Sequence, residues 1–497
     1  MGRYLYRSMK HPFTTADFPA WSRQFGPMKA RLADAGRQLR PATLAQLEVR
    51  LGNCLPGRLL AKATAGPNSR ERVYSLPRIF WGWLWQMLNH NAPCREVVRQ
   101  VQALSSLHGG PAVDEATGGY CQARTRLPQS ILEKALQASA RTAAQRAPAL
   151  AGLRGRSLKV VDGSSLRLAD TPANQKCFPQ PANQKRGCGF PVMKLVVLFC
   201  LTSGALLARA TGTLWDSEAR LFHRLLATLQ PGDIVIGDRG FGNFVILALL
   251  ASTGVDLLAR VPTNSRRVDF RRGRRLGRWD QVVVWHKGPQ QGRWLSSSEW
   301  AALPEQVSVR IVRLQVRQAG FRTHELTLAT TLLDAQLYPA AELLAAYARR
   351  WRLELCFDDL KTSLGLETLK CLSPALAEKE LLAGLIAHNL LRCVMAEAAQ
   401  THAVPLARIS FKGALDALRQ FNHALGQARS GRQRKKLWGA LLLTLARDLV
   451  PERPGRREPR AVKRRPKYPL LTHPRQQQRD RPRRSVRKSR SNDKRLI

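Results

Sequence analysis

The order of apolar runs between residues 158 and 261 constrains the fold of this chain more than any other feature. Leu158–Val161 is a short strand-like run ending in Asp162-Gly-Ser-Ser, and Lys194–Leu201 and Ala205–Thr211 form a hairpin about Ser203-Gly204. An amphipathic helix over Asp216–Leu229 follows, capped by Asp216 or Ser217. Next come a buried strand at Asp233–Gly237 ending at Asp238, a turn through Arg239-Gly-Phe-Gly-Asn, a helix at Phe244–Ser252 and a strand at Val255–Val261. Three antiparallel strands are thus followed by strands joined through helical crossovers, which makes a mixed α/β sheet.

The flanking segments have other textures. Residues 1–150 read as a helical, DNA-binding region, with apolar residues at helical spacing over Thr43–Leu51, Leu76–Leu88, Arg95–Leu104 and Gln129–Ala147. The tryptophans of Pro77-Arg-Ile-Phe-Trp-Gly-Trp-Leu-Trp read as core packing, while Arg124 and Arg126 are placed to meet phosphate. Residues 151–262 form the first part of the α/β domain. Residues 263–332 are a β-rich insertion, with basic turns at Ser265-Arg-Arg and Arg271-Arg-Gly-Arg-Arg and strand-like runs at Gln281–Trp285, Gln306–Val316 and His324–Thr330. Residues 333–372 complete the α/β domain, and 373–450 form a C-terminal helical region; helices are expected at Ala340–Leu364, Ala375–Ala399 and Phe411–Ala428. Beyond Pro451 the chain is rich in Arg, Lys and Pro, nearly without apolar residues, and is expected to be a disordered basic tail at 451–497.

A net charge of +46 over 497 residues would oppose compaction unless a polyanion were a regular partner. Nucleic acid fits that partner better than a membrane, because no apolar run reaches spanning length; the longest, near Val192–Leu201 and Phe244–Ala251, are bounded by turns. The N-terminus lacks a signal-peptide core, so a cytoplasmic, nucleoid-associated protein is expected. The nine cysteines show no CxxC pair and no zinc spacing; Cys177 and Cys188 are the least core-like of them.

The segment Tyr347-Ala-Arg-Arg-Trp-Arg-Leu-Glu-Leu-Cys-Phe-Asp-Asp-Leu-Lys carries most chemistry. At about 100° per residue from Tyr347, Arg350 falls near −60°, Glu354 near −20° and Lys361 near −40°, a single narrow face. Leu353, Cys356, Phe357, Leu360 and Leu364 form the core side. A solvated face laced by Arg350–Glu354 and Asp358–Lys361 ion pairs would give the same pattern. Asp162 and Asp238 change the balance, since each ends a central strand and leads into a glycine turn. Two strand-end carboxylates and one from a packed helix are the hard oxygen ligands that a pair of Mg²⁺ ions requires, and such a pair serves in-line phosphoryl transfer.

The spacing Tyr-x2-Arg-x3-Glu-x6-Lys at Tyr347, Arg350, Glu354 and Lys361 resembles the signature of the insertion-sequence-four family of bacterial DDE transposases. Val160-Val-Asp-Gly-Ser-Ser, Gly237-Asp-Arg-Gly-Phe and Gly187-Cys-Gly-Phe-Pro-Val-Met-Lys resemble further blocks of that family, and the likeness spans about residues 75–400. It implies a ribonuclease-H-like core interrupted by a β insertion, and cut-and-paste transposition in which water cuts one strand and the freed 3′-hydroxyl attacks in later steps. It implies Asp162, Asp238 and Glu354 as ligands of two Mg²⁺ or Mn²⁺ ions. Tyr347, Arg350 and Lys361 would contact DNA, and Arg239 would contact phosphate or partner Asp238. The DNA would be terminal inverted repeats and target, held by a homodimer. Base flipping against a tryptophan of the insertion is implied too, with Trp279, Trp285 and Trp294 as candidates and core packing as the alternative for each. Asp358, near +20°, competes with Glu354, and Asp359, near 120°, reads as surface. A catalytically inactive or domesticated DNA-binding protein, and a stand-alone nuclease with the same core, are the competing readings.

Overall fold

The computed structural model describes residues 51–61, 73–107, 112–147, 152–262, 268–289, 294–315, 325–451, 471 and 473–480. The expected helix at Thr43–Leu51 lies outside these except for Leu51, as do the Ser265-Arg-Arg turn and most of the basic tail. Among the described residues, a 3₁₀ turn at Gly52–Cys54 is followed by α1 (Leu76–Leu88), α2 (Cys94–Leu107), α3 (Gly118–Arg126) and α4 (Gln129–Arg146). In α1, Ile79, Phe80, Trp81, Trp83, Leu84 and Trp85 are all buried, so the tryptophan-rich run is core, as expected.

The sheet begins with β1 (Leu158–Leu168), followed by the short helix α5 (Pro172–Cys177), β2 (Val192–Cys200) and β3 (Leu206–Gly212). After α6 (Glu218–His223) come β4 (Ile234–Gly237), α7 (Phe244–Ala251) and β5 (Asp256–Arg260). The strands order as β3-β2-β1-β4-β5, antiparallel within β3-β2-β1 and parallel within β1-β4-β5. This is the mixed ribonuclease-H-like arrangement expected from the sequence. One expectation is corrected: β1 does not end at Asp162. It continues to Leu168 because β2 pairs with it along its whole length, from Lys159↔Cys200 to Arg167↔Val192.

The insertion supplies β6 (Arg274–Gly277), β7 (Asp280–His286), α8 (Ser297–Ala302), β8 (Gln306–Gln315) and β9 (Glu325–Thr330). Its strands do not form a sheet of their own. β9 pairs antiparallel with β5, through Leu258↔Thr330 to Arg260↔Leu328, so the order runs on as β5-β9-β8-β7-β6. Arg310 of β8 is fully buried; it forks onto both carboxylate oxygens of Asp280 in β7 and donates to the Tyr338 carbonyl at 2.8 Å. That fork ties the added strands to the segment leading into α9 (Ala340–Ala348).

After α9 come a 3₁₀ turn (Arg349–Trp351), α10 (Arg352–Asp358), a π turn (Asp359–Ser363), β10 (Thr368–Leu369), α11 (Pro374–Thr401), α12 (Phe411–Gln427), α13 (Gly431–Arg447) and α14 (Arg475–Asp480). α11 has the length and apolarity to cross a membrane, but it is the buried spine of this fold. Glu380 on it accepts from Asn91 Nδ2 and from the Lys370 and Cys371 N–H groups, and Asn389 pairs with both backbone groups of Leu206 at the start of β3. Polar groups buried this way are satisfied, and they fix how the helix lies on the sheet.

The expectation of a disordered tail fails at 473–480. Arg475 pairs with Asp170 at 2.6 Å, donates to the Cys188 carbonyl and lies over the Phe190 ring at 3.9 Å. Cys188 is buried there, against the sequence reading, whereas Cys177 is exposed.

Replacing Arg310 with Leu would strand the Asp280 carboxylate in a dry site. We expect a loss of unfolding free energy of about 3 kcal/mol or more in urea denaturation. A loss under about 1 kcal/mol, the scale of a surface pair, would show that the fork does not hold the inserted strands.

Candidate catalytic carboxylate site

The register of two strands creates the site. β1 and β4 run parallel with Val160 opposite Ile236, so two residues further on Asp162 and Asp238 stand level on the same side. β4 leaves the sheet after Gly237, and β10 joins the same edge of β1 only at Arg167↔Thr368. Among the described residues, the stretch of β1 between them has no strand beside it on that edge, and Asp162 opens into this notch. Each aspartate is held by a nearby amide: Asp162 Oδ1 accepts from the Gly163 N–H at 2.8 Å, and Asp238 Oδ1 from the Gly240 N–H at 2.7 Å. Burial, reinforced by the like charges of Asp238 and Glu354, pushes the Asp162 carboxyl up against the pull of that amide and of Arg350.

Glu354 arrives from above the same face. Leu353, Cys356 and Leu360 are buried with Val160 and Ile236, so α10 is pinned to that side of the sheet. Cys356 Sγ lies 3.7 Å from His388 Nε2 of α11, and the His388 ring stacks on Phe411. Burial holds that imidazole down at about 3, hence neutral. Arg350 joins the helix to the strand, donating to Asp162 Oδ2 at 3.1 Å and standing 3.6 Å from Glu354 Oε1.

The uniform helix expected over Ala340–Leu364 is corrected in two places, a 3₁₀ turn at Arg349–Trp351 and a π turn at Asp359–Ser363. The tighter turn rotates residues ahead of 100° per step and the wider one behind it. The predicted stripe therefore divides. Tyr347, Arg350 and Glu354 gather at the aspartates, whereas Lys361 lies in the π turn near Glu367 and Arg167. Tyr347 is mostly buried; burial pushes its phenol up, with Arg350, Asp238 and Arg260 as charged neighbours. The exposed Asp358 accepts from Thr362 Oγ1 at 2.7 Å. Asp359, expected on the surface, is instead half-buried near Arg392, and burial pushes it up to about 7. Arg239 is exposed.

Arg124 is a further correction. It is buried between the Trp83 and Tyr120 rings, each 5.1 Å from the guanidinium carbon, and beside Cys371, so it packs the core and meets no phosphate; Arg126 is half-buried. The same physics removes Trp285, which is buried in the core behind β7. Trp294 is partly buried against His223, and Trp279 is exposed with Phe270 at its edge.

The sequence reading missed Glu218. Its carboxylate reaches the aspartates from the opposite face of the sheet, where α6 packs through Leu221 and Phe222. Burial, then Asp238 and Asp162, push it up. The available signal was a glycine directly after Asp162 and an acid opening the helix that follows the hairpin.

As donors, these groups are all hard carboxylate oxygens, the set that Mg²⁺ or Mn²⁺ takes. Among the described residues, no three acidic, histidine or cysteine side chains stand close enough to share one ion, and Arg350 spans Asp162 and Glu354. The chemistry of the donor set fits a divalent cation; the separations correspond to a site braced by a guanidinium.

Residues 153–390 match the family described as the transposase DDE domain. The transposase InsG for insertion sequence element IS4 of Escherichia coli (strain K12) is 28% identical over 439 residues, covering 84% of this chain and 93% of that protein. The piggyBac transposase synaptic complex with hairpin DNA aligns over 81% of this chain and 82% of that chain, with a TM-score of 0.38 and 9% identity. The chain is a DDE-type DNA transposase, an enzyme that cuts DNA with the help of divalent metal ions. Within that class it is similar to the transposase of the IS4 insertion sequence element.

Two outcomes check this description. Arg124→Met should lower Tm and leave the salt dependence of DNA binding unchanged; a shallower salt slope would return Arg124 to the DNA. The folded chain holds the Asp359 proton to higher pH than an unfolded chain does, so this group makes stability fall as pH rises from about 4 to about 7. Asp359→Asn should flatten that decline in Tm measured across the window; an unchanged pH profile would mean Asp359 is charged in the fold.

Proposed function

We propose that Asp162, Asp238 and Glu354 hold two Mg²⁺ or Mn²⁺ ions and that the chain carries out cut-and-paste transposition at terminal inverted repeats. The observation that carries this reading is the parallel register that sets Asp162 level with Asp238, under a helix joined to Asp162 through Arg350. When bound, the cations would activate the attacking oxygen and neutralise charge on the phosphate being transferred. Asp162 and Asp238, each fixed by an amide, set the floor of the site. Glu354, half-exposed on α10, closes it from above. Arg350 keeps Asp162 and Glu354 in place, a role its two contacts support better than the phosphate contact first expected of it. Tyr347 packs beside Asp238 and orients that end of the helix, while Lys361 and Arg239 flank the site and meet the DNA backbone. Two copies would hold two element ends, and a substrate of chromosomal DNA would put the protein in the cytoplasm at the nucleoid.

The test is cleavage and strand transfer on a labelled duplex bearing the inverted repeats that flank the coding sequence, with Mg²⁺ or Mn²⁺. Alanine at Asp162, Asp238 or Glu354 should lower cleavage by roughly a hundredfold or more while DNA binding persists. Asp358→Ala should cut normally. Cutting by Glu354→Ala together with failure of Asp358→Ala would overturn the ligand assignment, and hydrolysis without strand transfer would make the chain a nuclease.

A further inference from the structure

We propose that Glu218 is a fourth carboxylate of the catalytic site, contributing an oxygen to cation binding, and that Gly163 and Lys194 serve to admit and to aim it. The inference rests on the assignment of Asp162 and Asp238 as cation carboxylates.

The first observation is the space Glu218 fills. A Cβ added at Gly163 would stand 2.2 Å from Glu218 Oε1 and 2.5 Å from its carboxyl carbon, so the carboxylate occupies the place of the missing side chain. Any other residue at 163 would expel it. A Cβ at Gly240 would stand 3.2 Å from Asp238 Oδ1 and 4.0 Å from Glu218 Oε2. Glu218 is thus wedged between the residue that follows Asp162 and the turn that follows Asp238. It is set close to two like charges when solvent was open to it.

The second observation is how the loop before it is held. Lys194 of β2 donates its ammonium to the carbonyls of Leu214 and Asp216, at 2.9 and 2.5 Å. The Asp216 carboxylate closes the same loop by accepting from the Thr213 N–H and hydroxyl, at 2.8 and 2.9 Å, and Ser217 caps α6. The residue after that cap is Glu218. An acid in the first turn of a helix is favoured by the dipole alone, but such an acid needs only solvent. It does not need an empty position on a central strand and a lysine spent on two carbonyls. Both supports lie in the sequence blocks around Asp162 and running into β2, parts of which the three-carboxylate scheme leaves without a task.

The experiment titrates the full-length protein with MnCl₂ and follows free Mn²⁺ by electron paramagnetic resonance, beside cleavage measured against Mn²⁺ concentration. Glu218→Gln should weaken Mn²⁺ binding roughly tenfold and raise the Mn²⁺ needed for half-maximal cleavage to match. Gly163→Ala should reproduce that loss with Glu218 intact, and add nothing in a Glu218→Ala background, where the space has been vacated. If Glu218→Gln does not fold, the Gly163→Ala comparison decides alone. Unchanged Mn²⁺ affinity in Glu218→Gln or Gly163→Ala, while Asp238→Ala loses it, would overturn the inference and leave Glu218 as a helix-capping acid. Unchanged affinity in Asp238→Ala as well would instead bring down the underlying ligand assignment.

Discussion

Two aspartates set level on adjacent parallel strands repel each other, and much of this structure answers that repulsion. Nothing in a hydrophobic sheet rewards such a pair. The backbone amides of Gly163 and Gly240 and the guanidinium of Arg350 are the local compensation. Arg350 can supply it only because a helix is laid over the notch where β4 leaves β1. That helix in turn depends on α11, whose His388, kept neutral by burial, meets Cys356. Charge at the two aspartates and apolar packing around His388 are therefore one design: the core fixes α10, and the turn that leads into α10 brings the counter-charge.

The insertion answers to the same demand from the other side. A β-rich segment placed between the second aspartate and the glutamate could have been a separate lobe. Here β9 pairs with β5, and Arg310 binds Asp280 and the Tyr338 carbonyl at once. The chain thus returns from the insertion already registered to the sheet, directly before α9. The entropy of ordering a long excursion is offset by ladder hydrogen bonds and a buried guanidinium rather than left to α10.

How much of this was legible follows from which forces are local. The strand order, the hairpin at Gly204 and the tryptophan-rich core of α1 could be read because apolar period and turn residues are properties of neighbours in sequence. The residues Asp162, Asp238 and Glu354 could be named as candidates for the same reason, through strand ends and helix spacing. Arg124 could not be placed, because whether an arginine lies between two rings or on a phosphate is decided by α1 and α3 packing together. The 3₁₀ and π turns around α10 have no glycine or proline to announce them, so an ideal helix carried Lys361 to the wrong neighbours. Arg475 looked like one more base in a tail until Asp170 and Phe190, some three hundred residues away, stood beside it. Glu218 was hidden most completely, since its partner in space is a glycine.

That pattern bears on how a chain with net charge +46 runs its chemistry. Long-range attraction draws the DNA backbone to nearly any face of such a body, and at low salt this sets affinity more than any single contact. The catalytic notch is the exception. Its carboxylates repel a phosphate placed among them, and Arg350, already committed to Asp162 and Glu354, does not offset all of that. On the proposed assignment, binding and cutting would answer to opposite charges: the surface would gather DNA without regard to divalent ions, while the notch would receive a phosphate only once cations neutralised it. A protein built this way would hold DNA in an inactive state without cations, and each carboxylate at the notch, the proposed Glu218 included, would deepen the separation between holding and cutting.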